Sequence, residues 1–374
     1  MRDRLQIVEA FESLSAAALA TVVSVEGSSY RRPGARMLIA GDGRTWGTIS
    51  GGCLERDVAR RARLLIPEPK NPQIIAYETD AEDGGEEDAR PVMDPGPSLG
   101  CGGRIEILIQ RITPADPGPL AALIAVVRQR QRAALATVIR TGSAHNPDVV
   151  AGMGLISIGD EAPHGHIADP KLTDVIFEQL LQSPPADHAF RIHRHSLSRG
   201  GWAEVSIESM VPSQALAIFG DGHDVAPLVE LAHMLGWHVT VIGSRPPATL
   251  RRNFPQADHL ICAPDDFAAA EAPADAAAVV MAHNFRRDAA ALAELLRHPR
   301  AYVGVLGPRG RTARLLASAG CAIHEDNLYS PVGLDIGAEN PEQIALAIVA
   351  EIQAVAAGGA GNSLRQRSGP IHLV

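Results

Sequence analysis

A repeat restricts this chain more than any other feature. Ala17-Ala18-Leu19-Ala20-Thr21-Val22 returns 116 positions later as Ala133-Ala134-Leu135-Ala136-Thr137-Val138. Gly41-Asp42 returns as Gly159-Asp160 and Gly47-Thr48-Ile49 as Gly165-His166-Ile167, both at an offset of 118. A helical pattern follows in both copies, over 54–65 and 171–182, and then a late strand, over 104–110 and 202–208. Equal element order at nearly equal spacing predicts two similar α+β units packed as a pseudo-symmetric pair. The copies differ where chemistry is expected. The second carries Ala168-Asp169-Pro170 in place of Gly51-Gly52-Cys53, and it has no cysteine, so it reads as structural.

The first copy centres on Gly47-Thr48-Ile49-Ser50-Gly51-Gly52-Cys53-Leu54-Glu55. Glycines remove the side chains that keep a bulky ligand off the backbone, and their amides can form a cradle for an anion. Leu54, Val58, Ala62 and Leu65 mark a helix with Glu55 and Asp57 in its first turn, where the dipole favours acids. Cys53 is therefore expected at a strand-to-helix turn, a setting that favours a reactive thiol. A second cysteine has similar surroundings in Leu99-Gly100-Cys101-Gly102-Gly103. A lone cysteine is most simply buried filler. Two of four, each inside a glycine cluster, read as site residues. Tyr30-Arg31-Arg32-Pro33-Gly34 brings two guanidinium groups to a nearby loop. The acidic run from Asp80 to Asp88 reads as a solvated or disordered loop, with metal binding the lesser alternative.

At 374 residues, two or three domains are expected. With 34 basic against 43 acidic residues the formal charge is -9, and no basic cluster is dense enough to neutralise a run of phosphates, which argues against a nucleic-acid partner. Arg60, Arg61 and Arg63 read as a solvated helix face. The four cysteines, at 53, 101, 262 and 321, form no disulfide framework. No apolar run reaches the ~18 residues of a membrane span, and the N-terminal stretch reads as an amphipathic helix rather than a signal peptide, so a cytoplasmic location is expected.

From residue 215 the pattern changes. Near-continuous apolar strands at 215–219, 238–242, 259–262, 277–282 and 302–306 alternate with helices at 224–235, 266–271, 287–297, 310–318 and 341–355. That alternation predicts a parallel, doubly wound, Rossmann-like sheet. Gly220-Asp221-Gly222-His223 follows a strand and opens a helix, the context of a phosphate-binding turn. The second strand ends in Gly243-Ser244-Arg245 without the acid that grips a ribose, so ordinary NAD binding is not expected there and Arg245 favours a phosphate. His283 and Asn284, with Asp288, end the fourth strand, and Gly307-Pro308-Arg309-Gly310-Arg311 the fifth. A histidine after a strand is usually a structural hydrogen-bonder; Asn284 and the arginines converging on it make His283 a binding candidate. The loop Ser330–Gly337 either closes over a ligand or only turns the chain before the last helix, which Asn340 caps with Pro341 at its first position. The expected division is 1–115 and 116–212 for the two α+β units, 213–356 for the Rossmann-like domain and 357–374 for a flexible tail.

Gly51-Gly52-Cys53-Leu54-Glu55, Gly100-Cys101-Gly102-Gly103, Phe219-Gly220-Asp221-Gly222-His223, His283-Asn284 and Ser330-Pro331-Val332-Gly333-Leu334-Asp335-Ile336-Gly337 fall in order over nearly the whole chain. Together they resemble the xanthine dehydrogenase accessory protein family (XdhC/CoxI). The resemblance implies an α+β N-terminal domain joined to a Rossmann-like one, in a cytoplasmic and often dimeric chaperone rather than an enzyme. Such a protein binds molybdenum cofactor, as molybdopterin or its cytosine dinucleotide. It protects the cofactor while a cysteine desulfurase installs the terminal sulfur, and passes it to a xanthine-dehydrogenase-like hydroxylase. By that resemblance Cys53 contacts the metal centre or a labile sulfur and Cys101 supports or shares that metal-site role, with Gly51, Gly52, Glu55, Gly102 and Gly103 around them. Gly220, Asp221, Gly222, His223, Arg245, His283 and Asn284 then serve the phosphate end. Two rival readings are an NAD(P)-dependent oxidoreductase on the C-terminal domain, with His283 as its acid–base candidate, and an interaction scaffold with a vestigial nucleotide fold.

Overall fold

Strands that are apolar on both faces belong in the middle of a layered structure, and that is where both copies of the repeat lie. The computed structural model describes residues 2–27, 31–68, 71–79, 103–142, 146–182, 190–264, 267, 270, 272–320 and 327–366. It divides into two compact units, Arg2–Pro212 and Ser213–Val374.

In the first unit, α1 (Arg2–Phe11) precedes β1 (Ala17–Gly27), β2 (Arg36–Ala40), β3 (Thr45–Gly47), α2 (Glu55–Ala62), β4 (Gln73–Thr79) and β5 (Gly103–Ile112). After α3 (Leu120–Arg128) the order recurs as β6 (Ala133–Gly142), β7 (Gly154–Ile158), β8 (His164–His166), α4 (Pro170–Gln182), β9 (Phe190–Ser196) and β10 (Trp202–Met210). The first set forms an antiparallel sheet of order β3-β2-β1-β5-β4 and the second one of order β8-β7-β6-β10-β9. The repeated hexapeptide is thus the central strand of each. Ala18, Ala20 and Val22 pack under Val58 and Ala62 of α2, and Ala134, Ala136 and Val138 under Leu172, Ile176 and Leu180 of α4. The opposite faces, through Leu19 and Leu135, share one core with Ile7 and Phe11 of α1 and Leu123 and Val126 of α3.

Opposite charges meet between the two sheets. Arg36 on β2 donates to both carboxylate oxygens of Glu208 on β10, at 2.8 and 2.6 Å, with 4% and 8% of the side chains exposed. Nearby, Arg140 on β6 bridges Glu106 on β5 and Glu204 on β10, and Arg194 on β9 reaches Glu204 at 2.7 Å. Asp57 of α2 receives Arg60 and Arg61 and the Tyr77 hydroxyl of β4; burial pushes its carboxyl up, but these partners outweigh that and hold it at about 2.

The second unit runs β11 (Ala215–Phe219), α5 (Val225–Met234), β12 (His238–Gly243), α6 (Pro247–Asn253), β13 (His259–Cys262), β14 (Ala277–Val280), α7 (Phe285–Leu295), β15 (Val303–Val305), α8 (Arg309–Ala319), β16 (Leu328–Tyr329) and α9 (Pro341–Ala356). All neighbouring strands are parallel, in the order β13-β12-β11-β14-β15-β16. Counted within the unit this is 3-2-1-4-5-6, the Rossmann order, with its switch point between β11 and β14. Leu216 and Ile218 face α5, α6 and α9; Ala217 and Phe219 face α7 and α8. Asn340 forms a capping box with Gln343 at the start of α9, with Pro341 in the first turn.

Several elements, β7 among them, are absent from the sequence reading, and four show why. α3 is apolar all round, so no polar face marks its period. β9 is an edge strand of mostly exposed, polar residues and shows no alternation. α6 and β16 are short. The strand expected over 46–50 ends at Gly47, because the Ile49 and Ser50 amides turn to the Glu55 side chain rather than to a neighbouring strand. The helix expected over 266–271 and the acidic run 80–88 lie largely or wholly outside the described residues. Among the described residues no helix is long and apolar enough to cross a membrane.

Arg36→Ala leaves Glu208 buried without its partner and is expected to destabilise the Arg2–Pro212 unit by about 3–5 kcal/mol in urea unfolding, whereas Arg36→Met combined with Glu208→Leu costs far less.

Candidate functional site

Between β3 and α2 the chain makes a turn held from both ends. The Glu55 carboxylate folds back and accepts the Ser50 amide at 2.8 Å, the Ile49 amide at 3.3 Å and the Ser50 hydroxyl at 2.5 Å. The Ser50 oxygen in turn accepts the amides of Gly52 and Leu54, both at 3.2 Å. Ile49 and Leu54 are fully buried on either side, so Gly51, Gly52 and Cys53 are pushed outward. Gly52 has φ 111°, a left-handed conformation that a side chain resists, and open space around its α-carbon. Cys53 presents an exposed free thiol on this turn. Burial pushes the Glu55 carboxyl up, but the hydrogen bonds from Ser50 and Ile49 outweigh that and leave it below the ordinary glutamate range. Arg31 donates to Asp3 and to the Thr48 hydroxyl. An open groove of about 520 Å³ along α1 and β3 extends to Thr48.

The second cysteine cluster is only partly placed. Cys101 and Gly102 lie outside the described residues; Gly103 opens β5, opposite Gly27 of β1 and Thr79 of β4. Among the described residues no three or more histidine, cysteine or acidic side chains converge as a metal site. In the second copy Asp169 stands at the equivalent turn. It is 1% exposed, accepts the Leu172 amide at 2.9 Å as a helix cap, and takes the Ser198 amide and hydroxyl with its other oxygen.

At the Rossmann switch point the ends of β11 and β14 carry the other predicted residues. His283, 61% exposed on its side chain, has φ 54°, rare for a histidine, and its Nε2 lies 2.7 Å from Asp224 Oδ2 across the switch. Backbone strain of this kind persists where surrounding contacts over-determine it and is concentrated at functional sites. Asn284 caps α7 through the Arg287 amide at 3.2 Å. His223 is exposed just before α5. Asp221 Oδ2 accepts the amides of Ser244 at 2.8 Å and Arg245 at 2.9 Å, tying the first loop to the second, and Gly222 lies between Asp221 and His223. The Gly220 amide donates to Ile242. Asp288 is fully buried, accepts the Ala282 amide and is paired with Arg311 at 2.5 Å, so Arg311 braces the strand ends. Asp224 is the residue that sequence reasoning passed over: its partner lies 59 positions away, and no local spacing announces the pair.

Residues 216–352 match the family description "XdhC Rossmann domain" and residues 11–78 match "XdhC and CoxI family". A protein of Bacillus subtilis (strain 168) described as a probable subunit of xanthine dehydrogenase is 33% identical over 91% of this chain and 93% of its own length. The molybdenum cofactor insertion chaperone PaoD of Escherichia coli (strain K12) is 24% identical over 93% of this chain and 86% of its own. A solved structure described as a xanthine dehydrogenase from Bacillus halodurans superposes with a TM-score of 0.71 at 26% identity, over 97% of this chain and 98% of that one. The class of protein is thus one with two antiparallel α+β sheets, an exposed cysteine turn in the first, and a Rossmann unit covered by its own family model. The chain belongs to the XdhC/CoxI family.

Glu55→Ala is expected to lower stability in urea at pH 7 by about 1 kcal/mol, below the ~1.5–3 kcal/mol of hydrogen bonds to a charge because solvent screens this half-buried carboxylate. The folded pKa lies below the ordinary 4.5, so the wild-type advantage is complete above that pH and closes as the pH falls through the folded value. Urea titrations at descending pH read it directly.

Proposed function

We propose that this chain is a maturation factor that binds molybdenum cofactor, shields it during sulfuration and delivers it to a xanthine dehydrogenase or aldehyde oxidase type hydroxylase. The observation that carries this reading is the exposed Cys53 thiol on a glycine turn braced by Ser50 and Glu55, in a chain alignable over most of its length with a protein named as a molybdenum cofactor insertion chaperone. The residues present suit the group. A thiolate is a soft donor fit for molybdenum or a labile sulfur. The backbone of Gly51 and Cys53 lies on an exposed turn, where an anionic ligand finds amide donors. When bound, the cofactor supplies the metal and its sulfur. Cys53 holds the metal end, with Cys101 as its partner. Gly220, Gly222, His223, His283 and Asn284 receive the phosphate end, as molybdopterin or its cytosine dinucleotide.

In this proposal residues 1–115 hold Cys53 and Cys101, 116–212 complete the fold, 213–356 carry the phosphate site and 357–374 form a tail. The factor works in the cytoplasm as a homodimer, with a cysteine desulfurase and the client hydroxylase as partners. Glu55 acts by shaping the turn, since its carboxylate is engaged with Ser50 and Ile49.

Protein purified from a cofactor-replete host is expected to contain molybdenum and pterin, both falling at least several-fold in Cys53→Ala while the fold persists by circular dichroism. Equal cofactor in both proteins moves the metal end away from Cys53. No cofactor in either, together with NADPH binding and substrate-dependent change in absorbance at 340 nm, hands the chain to the oxidoreductase reading.

A further inference from the structure

The acid missing from the end of β12 has a replacement that only the folded chain shows. A Cβ built on Gly243 would lie 2.9 Å from Asp221 Cβ, 3.0 Å from Asp221 Oδ2 and 2.7 Å from Leu250 Cδ2. The space a side chain at 243 would enter is therefore already filled by the Asp221 side chain, arriving from the β11–α5 loop. Its Oδ2 is held by the amides of Ser244 and Arg245, at 2.8 and 2.9 Å, and by the Ser244 hydroxyl at 3.3 Å. Oδ1 accepts no hydrogen bond from the described residues, and 15% of the side chain is exposed. One oxygen is fixed at the end of the second strand, and the other keeps its hydrogen-bonding capacity.

In a Rossmann sheet an acid at that place hydrogen-bonds the ribose 2′-hydroxyl of a bound nucleotide, whose phosphates lie at the N-terminus of the first helix. We infer that Asp221 stands in for that acid, so that the Ser213–Val374 unit binds a ribonucleotide with a free 2′-hydroxyl. The carboxylate comes from the first loop rather than the second strand, and it reaches the same place because Gly243 has no side chain to oppose it. A 2′-phosphate would meet the carboxylate and is disfavoured, despite Arg245, whose guanidinium lies 3.9 Å from Asp221 Oδ2. The inference rests on the reading of the Gly220–His223 turn as a phosphate site but not on molybdenum: it concerns which sugar the C-terminal unit accepts, whatever the nucleotide carries beyond its phosphates.

The test is calorimetric titration of the full chain with ADP, CDP, GDP and UDP, each beside its 2′-deoxy counterpart. For at least one base the ribonucleotide is expected to bind about tenfold or more tightly than the deoxy form, the range for a hydrogen bond to a charged acceptor. Asp221→Asn should reduce that ratio several-fold. Asp221→Gly with Gly243→Asp, which returns the acid to the strand end, removes the Asp221 side chain from its space and leaves only the flexible tip of Leu250 to shift, should restore it. Circular dichroism establishes that each variant is folded. Wild-type protein that binds none of the four ribonucleotides, or binds ribo and deoxy forms alike, overturns the inference. So does an Asp221→Asn protein that keeps the full ratio, or a folded double variant without sugar preference.

Discussion

Two opposite charges buried between stacked sheets hold the N-terminal unit in register. Arg36 and Glu208 stand 172 positions apart, on strands from different copies of the repeat, and they meet in two hydrogen bonds away from solvent. Apolar faces alone pack with many near-equivalent offsets, because the hydrophobic effect has no direction. A bidentate guanidinium–carboxylate pair has one geometry, and a slip of either sheet would leave both charges desolvated and alone. The Glu106–Arg140–Glu204–Arg194 chain repeats this constraint at a second place between the same sheets. The pairing of the copies is thus specified by polar contacts laid over an apolar core.

Acids at the ends of elements serve a common purpose through the rest of the molecule. Glu55 holds the amides of Ile49 and Ser50, Asp169 those of Leu172 and Ser198, Asp221 those of Ser244 and Arg245, and Asp288 that of Ala282. Glu351 does the same for Gly333 while receiving the Tyr302 hydroxyl. Turn amides that no strand or helix satisfies need partners, and a carboxylate is the strongest acceptor a side chain provides. The result is a set of rigid turns from which Cys53 and His283 project. Cys53 is presented by the Ser50–Glu55 brace, and His283 is set in a left-handed conformation opposite Asp224. Turns fixed in this way suit the cofactor-holding role proposed above.

Much of this architecture was legible in the residues. The repeat announced two similar sheets because its apolar strands had to be covered on both faces, and the Gly220 turn after a strand announced a doubly wound unit. The cysteine turn was legible as well, since glycines before a helix start leave few alternatives for the backbone. What escaped was of two kinds. α3 and β9 carry no periodic contrast, one being apolar on every face and the other polar along an edge. The roles of Glu55, Asp221 and Asp224 escaped because a carboxylate looks the same in sequence whether it faces a ligand or a backbone amide.

By itself the sequence determined the kinds and order of elements, the exposed Cys53 turn, the parallel C-terminal sheet and the family, because these follow from local periodicity, glycine placement and motif spacing. Only the tertiary structure decided that Arg36 reaches Glu208, that Asp224 meets His283, and that Asp221 fills the space beside Gly243. Those pairings join residues 172, 59 and 22 positions apart. Nothing local encodes them: they arise when packed sheets and loop ends bring distant residues within a few ångströms, and for the buried Arg36 and Glu208 desolvation makes an unpaired charge too costly to keep.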